Sequence, residues 1–202
     1  MLDELQLRPL TRGMIAEASD VLARAFVNNP LHVAAFGAGQ LRRNVRFFRM
    51  GLVALKGAKW VATDGSRILG VIHWVHAPDC QFSGLDKFRL TPTMVCGFGL
   101  RSSRRLITWV SQWSEHDPPA PHAHLGPIGV APEAQRRHVG HRLMQKYCDE
   151  VDRRGESGYL ETDRVENVAF YRRFGFEIVR EVPVLGVANF LMSRPQVSSR
   201  SV

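Results

Sequence analysis

The strongest constraint on this chain is a patterned helix standing between two β-like runs. From Val139 to Arg154, Val139, Leu143, Tyr147 and Val151 recur at helical spacing with Met144 and Cys148 beside them, while His141, Arg142, Lys146 and Asp149 fall on the other side. An apolar stripe of that width packs on a sheet. The strands of that sheet read on either side, "HAHLGPIGV" before the helix and "GYLET" after it. Strand, helix and strand in this order predict an α/β chain.

The remaining segments extend the pattern. "LQLRPLT" alternates as an opening strand, and "MIAEASDVLARAFV" follows as a helix ending near "NNP". "GQLRRNVRFFRMGLVALKGA" predicts an amphipathic helix with Leu41, Val45, Phe48, Leu52 and Leu55 on one side, and "KWVATDGSRILGVIHWVHA" predicts two strands turning at Asp64-Gly65. Near the C-terminus, "NVAFYRRF" reads as a short helix begun by Asn167 and closed by Gly175, before a terminal strand pair, "FEIVREVPV" and "VANFLMS". Residues 81–119 break the rhythm and read as a helical insertion over a site. The 202 residues fit one domain, 1–195, with 196–202 as a disordered tail.

Composition removes several function classes. The formal charge of +8 attracts anions, but "LRR", "RSSRR", "QRR", "DRR" and "YRR" are scattered and no helix-turn-helix or RNA-binding aromatic motif accompanies them, so no nucleic-acid partner is expected. No apolar run approaches the roughly 20 residues of a membrane span, and the N-terminus lacks a signal-peptide pattern; the expectation is a cytoplasmic protein without a membrane partner. Cys80, Cys96 and Cys148 are odd in number and unpaired in spacing, which argues against a disulfide framework or a four-thiolate zinc site.

The start of the patterned helix is the first functional signal. "QRRH" and Gly140 put unpaired backbone N–H groups at the positive end of the helix dipole, beside a residue small enough to admit a ligand, which describes an anion cradle. "LETDRVENVAFYRRFGF" follows one strand later.

Together these fragments resemble the GNAT (GCN5-related N-acetyltransferase) superfamily. Its pattern Gln/Arg-x-x-Gly-x-Gly/Ala is met by Gln135 and Gly140, with His138 standing where the first glycine is expected, and its later Asn, Tyr, Gly-Phe element by Asn167, Tyr171, Gly175 and Phe176. Over "HAHLGPIGVAPEAQ" and "LETDRVENVAFYRRFGF" the chain is most similar to the puromycin N-acetyltransferase-like branch, whose members carry a variable helical insertion before this strand. The resemblance implies an α/β (α+β) fold, with a mixed central sheet of about six to seven strands, splayed between strands 4 and 5 and flanked by helices.

It also implies acetyl-CoA as co-substrate. The diphosphate would lie over Gln135, Arg136, Arg137, His138, Val139, Gly140 and His141, the pantetheine arm along Ile128, Gly129 and Val130, and Asn167 and Phe170 beside the cofactor. Pro127 and Gly129 suit an irregular strand there. Tyr171 is the candidate acid for the departing thiolate, and the base that takes the amine's proton is open among Glu161, His122 and His124.

The expected reaction is direct transfer, in a ternary complex, of the acetyl group to an amine of a small molecule. A protein N-terminus or lysine as acceptor, or acyl-CoA binding without turnover, are the alternatives, and a homodimer is compatible with either. Cys148 lies mid-helix with no activating partner, which disfavours a covalent route. No metal is expected, because neither His122 with His124 nor His73 with His76 has a third ligand at ligand spacing. In the insertion, Phe82, Phe88, Phe98, Trp109 and Trp113 read as core before ligand wall, and Glu115 and Asp117, flanking His116, would hold a cation.

Overall fold

The structure, a computed structural model, describes residues 5–65, 67–80 and 84–196, and of residues 84–91 and 93 the backbone alone. Seven strands form one mixed sheet in the order β1-β2-β3-β4-β5-β7-β6: β1 (Leu5–Pro9), β2 (Ala58–Asp64), β3 (Ile68–His76), β4 (His122–Val130), β5 (Ser157–Thr162), β6 (Glu177–Val184) and β7 (Val187–Arg194). The helices are α1 (Ile15–Phe26), α2 (Pro30–Phe36), α3 (Leu41–Ala54), α4 (Gly84–Ser114), α5 (Val139–Arg154) and α6 (Val165–Arg172). All neighbouring strands run antiparallel except β4 and β5. Those two pair only from His122 to His124 against Ser157 to Tyr159, although β4 runs on to Val130 and β5 to Thr162. The sheet therefore opens between them, as expected.

On its other side β4 carries a bulge against β3. Ile72 pairs with Ile128 and Trp74 with Leu125, so β4 carries one residue more than β3 between these rungs, at Gly126-Pro127. Proline has no N–H to give to a ladder, and the extra residue falls there. Gly129 is not the bulge; a Cβ on it would come within 2.8 Å of Leu22 Cδ2 and 3.1 Å of the Phe26 ring, so α1 packs directly on its backbone.

α5 covers one face of the sheet and α1, backed by α3, the other. The α5 stripe is as the periodicity predicts: Val139, Leu143, Met144, Tyr147, Cys148 and Val151 are all buried. A Cβ on Gly158 would lie 2.9 Å from Phe176 Cζ and 3.0 Å from the Tyr147 hydroxyl, so Gly158 faces α5 and its neighbours in β5, Tyr159 and Glu161, face the other side.

Three expectations need correction. α3 keeps Phe48 and Leu52 of its predicted stripe in the core, but Leu41 is exposed and Asn44 is fully buried, its Oδ1 accepting a hydrogen bond from His32 Nδ1 at 2.5 Å. α2, which the sequence did not announce, begins with Pro30 at its first turn. α6 begins at Val165, two residues before Asn167, with Arg164 as N-cap; Asn167 instead turns its side-chain amide back to Thr162 Oγ1 at 3.4 Å. The helix closes as predicted, with Gly175 at φ 82 and Phe176 N–H reaching the Tyr171 carbonyl.

The insertion is α4, broken at Gly99. Phe98 and Trp109 are buried with Leu31, Ala35, Phe36, Leu106 and Val184 in a second apolar cluster that Trp113 flanks, so these aromatics are core. Phe82, the Phe88 side chain and residues 197–202 lie outside the described residues.

Candidate functional site

The turn before α5 is made by two left-handed residues that are not glycine, Arg136 at φ 61 and His138 at φ 59. Such a conformation costs an L-residue about 1 kcal/mol, and it explains why glycine is the usual occupant of the His138 position. The turn delivers the backbone that an anion requires: α5 has no side-chain cap, and among the described residues the N–H groups of Arg136 to His141 make no hydrogen bond within the protein. The Gln135 to His138 side chains are exposed, and Gln135 Nε2 bonds to the Val130 carbonyl at 3.3 Å. A Cβ on Gly140 would lie 3.6 Å from Val130 Cγ2 and 3.7 Å from Phe170 Cζ, which brings Phe170 to the cradle's edge. Arg24 of α1 fixes the preceding turn through Glu133 at 2.8 Å. These donors suit a diphosphate, and the cradle opens beside the end of the splayed β4.

On the α5 side of β5, Tyr171 is 7 % exposed and packs against Phe170 and Phe176, with ring centroids 5.3 and 6.2 Å away. Burial, then the charge of Asp163, raises its pKa, so the phenol keeps its proton at neutral pH. No hydrogen-bond partner for its hydroxyl occurs among the described residues.

On the opposite side, where the strands part, lies a buried polar cluster. His124 Nε2 is 2.9 Å from Glu161 Oε2, and His124 Nδ1 is 3.2 Å from Asp117 Oδ1, an ion-pair approach off the line of a directed hydrogen bond. Burial opposes charge on His124, yet Glu161 first and then Asp117 and Cys80 outweigh it and hold the imidazole pKa well above its ordinary value. The direction of that shift favours the charged imidazole over the neutral one. His122 is buried; its Nδ1 donates to the Ala120 carbonyl at 2.9 Å and its Nε2 faces Cys80 Sγ at 3.9 Å. Of the three candidate bases, Glu161 is the carboxylate at the fork.

Beside this cluster is a cavity of about 350 Å³ whose walls include Glu115, His116, Asp117, Tyr159, Arg180 and Leu191. Tyr159 closes one side by donating to the His116 carbonyl at 3.2 Å. Two residues past Glu161, Asp163 accepts the Leu31 N–H at 2.8 Å and the Asn29 amide at 3.2 Å, tying the start of α2 to the end of β5.

Sequence spacing missed Cys80 and Asp117 as neighbours of the two histidines, since β3, β4 and the connection after α4 meet only in the fold. The expectation that no third ligand accompanies His122 and His124 is therefore wrong: Cys80 joins both, and Asp117 with Glu161 joins His124, with ligand atoms within 4.8 Å in each group. His73 and His76 do not join them; His73 Nε2 bonds to the Lys56 carbonyl and His76 pairs with Glu156. Cys148 is buried and its thiol pKa is pushed up to about 11 by that burial, consistent with an inert core residue.

The model of the Acetyltransferase (GNAT) family matches residues 48–176, well over half of the chain. The chain belongs to the GNAT acetyltransferase family. Its fold is shared by a histone acetyltransferase HPA2 and related acetyltransferase from Corynebacterium glutamicum, 20% identical, with a TM-score of 0.75 over 98% of this chain and 99% of that one. It is shared also by an agmatine N-acetyltransferase, 14% identical, TM-score 0.64 over 95% and 99% of the two chains. A putative acetyltransferase from Salmonella typhimurium, yncA, solved with acetyl-CoA, is 12% identical with a TM-score of 0.56 over 98% and 97%. No helix among the described residues is long and apolar enough to cross a membrane.

Proposed function

We propose that this acetyltransferase moves the acetyl group of acetyl-CoA to an amine of a small molecule by direct transfer. The observation that carries the reading is that Tyr171 packs over one face of β5 through Phe176 while Glu161 projects from the other, on the strand that parts from β4. Bound with its diphosphate on the amides of residues 136–141, acetyl-CoA supplies an activated thioester. Backbone at Ile128, Gly129 and Val130, unpaired with β5, serves the pantetheine arm, and Asn167 and Phe170 stand beside it.

Tyr171 holds a proton for a departing thiolate. Glu161, its Oε1 buried without a partner, receives the amine's proton directly or through water; His124 orients that carboxylate and His122 positions the strand beside it. The carboxylates of Asp117 and Glu161, with Asp117 on the cavity wall, suit an incoming ammonium there. A volume of about 350 Å³ suits a small acceptor. The puromycin N-acetyltransferase-like assignment rests on the sequence resemblance, and a cytoplasmic setting and a homodimer belong to the same reading. The test is a panel of small amines with acetyl-CoA, thiol release being followed: saturable turnover with at least one amine supports it, and cofactor binding without turnover on amines, peptides or lysine overturns it.

A further inference from the structure

The geometry points to a binding site for one divalent cation of the zinc class, held by Cys80 Sγ, His122 Nε2 and His124 beside Asp117 and Glu161. The chain after β3 is folded back onto β4 by the hydrogen bond from Ala77 N–H to the His122 carbonyl at 2.9 Å, and Lys56 pairs with Asp79 at 2.6 Å, which together bring Cys80 over the two histidines. The three ligand atoms lie within 4.8 Å of one another. Bonds of about 2.3 Å to sulfur and 2.0–2.1 Å to nitrogen around a tetrahedral ion place sulfur and nitrogen roughly 3.6 Å apart, and Cys80 Sγ is 3.9 Å from His122 Nε2.

The tautomers agree with this. The Ala120 carbonyl can only accept, so His122 Nδ1 carries the hydrogen and Nε2 offers its lone pair toward Cys80. On His124, Glu161 Oε2 accepts the Nε2 hydrogen at 2.9 Å, and Nδ1, which faces Asp117 Oδ1 at 3.2 Å, would give up its proton as an ion binds. Orientation of each imidazole by an acceptor on its far nitrogen is the usual surrounding of a zinc ligand. A second observation is independent of these distances. The Glu161 side chain is 1 % exposed and its Oε1 has no hydrogen-bond partner, which leaves buried negative charge that a cation would offset. Thiolate with imidazole selects zinc-like ions over magnesium or calcium.

This inference does not depend on acetyl transfer, and its test reads metal binding alone. The metal-stripped full chain is titrated with Zn2+ by calorimetry and with Co2+ by absorption. The expected results are one zinc per chain, no response to Mg2+, and a thiolate-to-cobalt charge-transfer band in the near ultraviolet. Cys80→Ser should abolish the band and weaken zinc at least tenfold, His122→Asn should weaken it comparably, and Cys96→Ser should leave both unchanged. Cys80 is half-buried on a connection, so its serine variant keeps the fold, checked by circular dichroism, if the buried His122 variant does not. Absence of saturable zinc binding, or a cobalt band surviving Cys80→Ser, overturns the site and reduces the contact to a thiol–imidazole hydrogen bond.

Discussion

Glu161 reaches His124 across the fork of the sheet, Oε2 to Nε2 at 2.9 Å, from two residues beyond the last rung that joins β5 to β4. The contact bridges the strands where backbone pairing has stopped. Glu161→Gln leaves the shape but removes the charge that keeps His124 protonated. Breaking such a buried pair destabilises by about 3 kcal/mol, and kcat should fall by 10²-fold or more while acetyl-CoA affinity is retained. Calorimetry with the cofactor beside steady-state kinetics checks this; unchanged kcat would remove Glu161 from the proton path.

Tyr171→Phe deletes one oxygen from a packed ring. Cofactor affinity and melting temperature should change little, and kcat should drop roughly 10²- to 10⁴-fold, as expected for loss of a general acid. A drop in affinity with kcat preserved would make Tyr171 a packing residue.

His138→Gly tests the departure at the cradle. The position is already left-handed, so glycine relieves about 1 kcal/mol of strain and removes a side chain from the anion's approach. The variant should bind coenzyme A more tightly with an equal or higher melting temperature. Weaker binding would show that the imidazole itself touches phosphate.

The pH dependence of stability follows from His32. Its ring lies among Phe26, Phe36, Phe47, Phe48 and Trp109, and burial, against the Asn44 bond, lowers its pKa to about 4 from 6.5. A histidine depressed in the folded state is neutral there while the unfolded chain takes up a proton. Its stabilising effect is therefore complete above about pH 6.5 and declines as pH falls toward 4, by roughly 3 kcal/mol in all. Melting curves from pH 7 to 4 should show this loss, with a shallower decline in His32→Gln; identical slopes would contradict the assignment.

Gly158→Ala would drive a methyl to 2.9 Å from Phe176 and 3.0 Å from the Tyr147 hydroxyl. A cost of about 1–3 kcal/mol in chemical denaturation is expected, because both rings are fully buried and have little room to yield. An unperturbed midpoint would mean that the layer over β5 can shift.

What the sequence made legible is periodic or local. The α5 stripe, the β4 boundaries, the Gly175 closure and the parting of β4 from β5 follow from spacing, turn chemistry and family motif. What it hid depends on contacts distant along the chain. Asn44 sits on an apolar stripe because His32 awaits it, and Asn167, a natural cap by type, is drawn to Thr162 instead. Cys80 and Asp117 carry no pattern that links them to His124, since only the folded connections bring them there.

The left-handed turn before α5 has a corollary. Its unpaired donors belong to the main chain, so they depend on the dihedral angles of residues 136–138 rather than on the side chains there. Asparagine, aspartate or glycine would be admitted readily at Arg136 and His138, and β-branched residues shut out. At Arg136 and His138 the turn is thus constrained by handedness more than by charge.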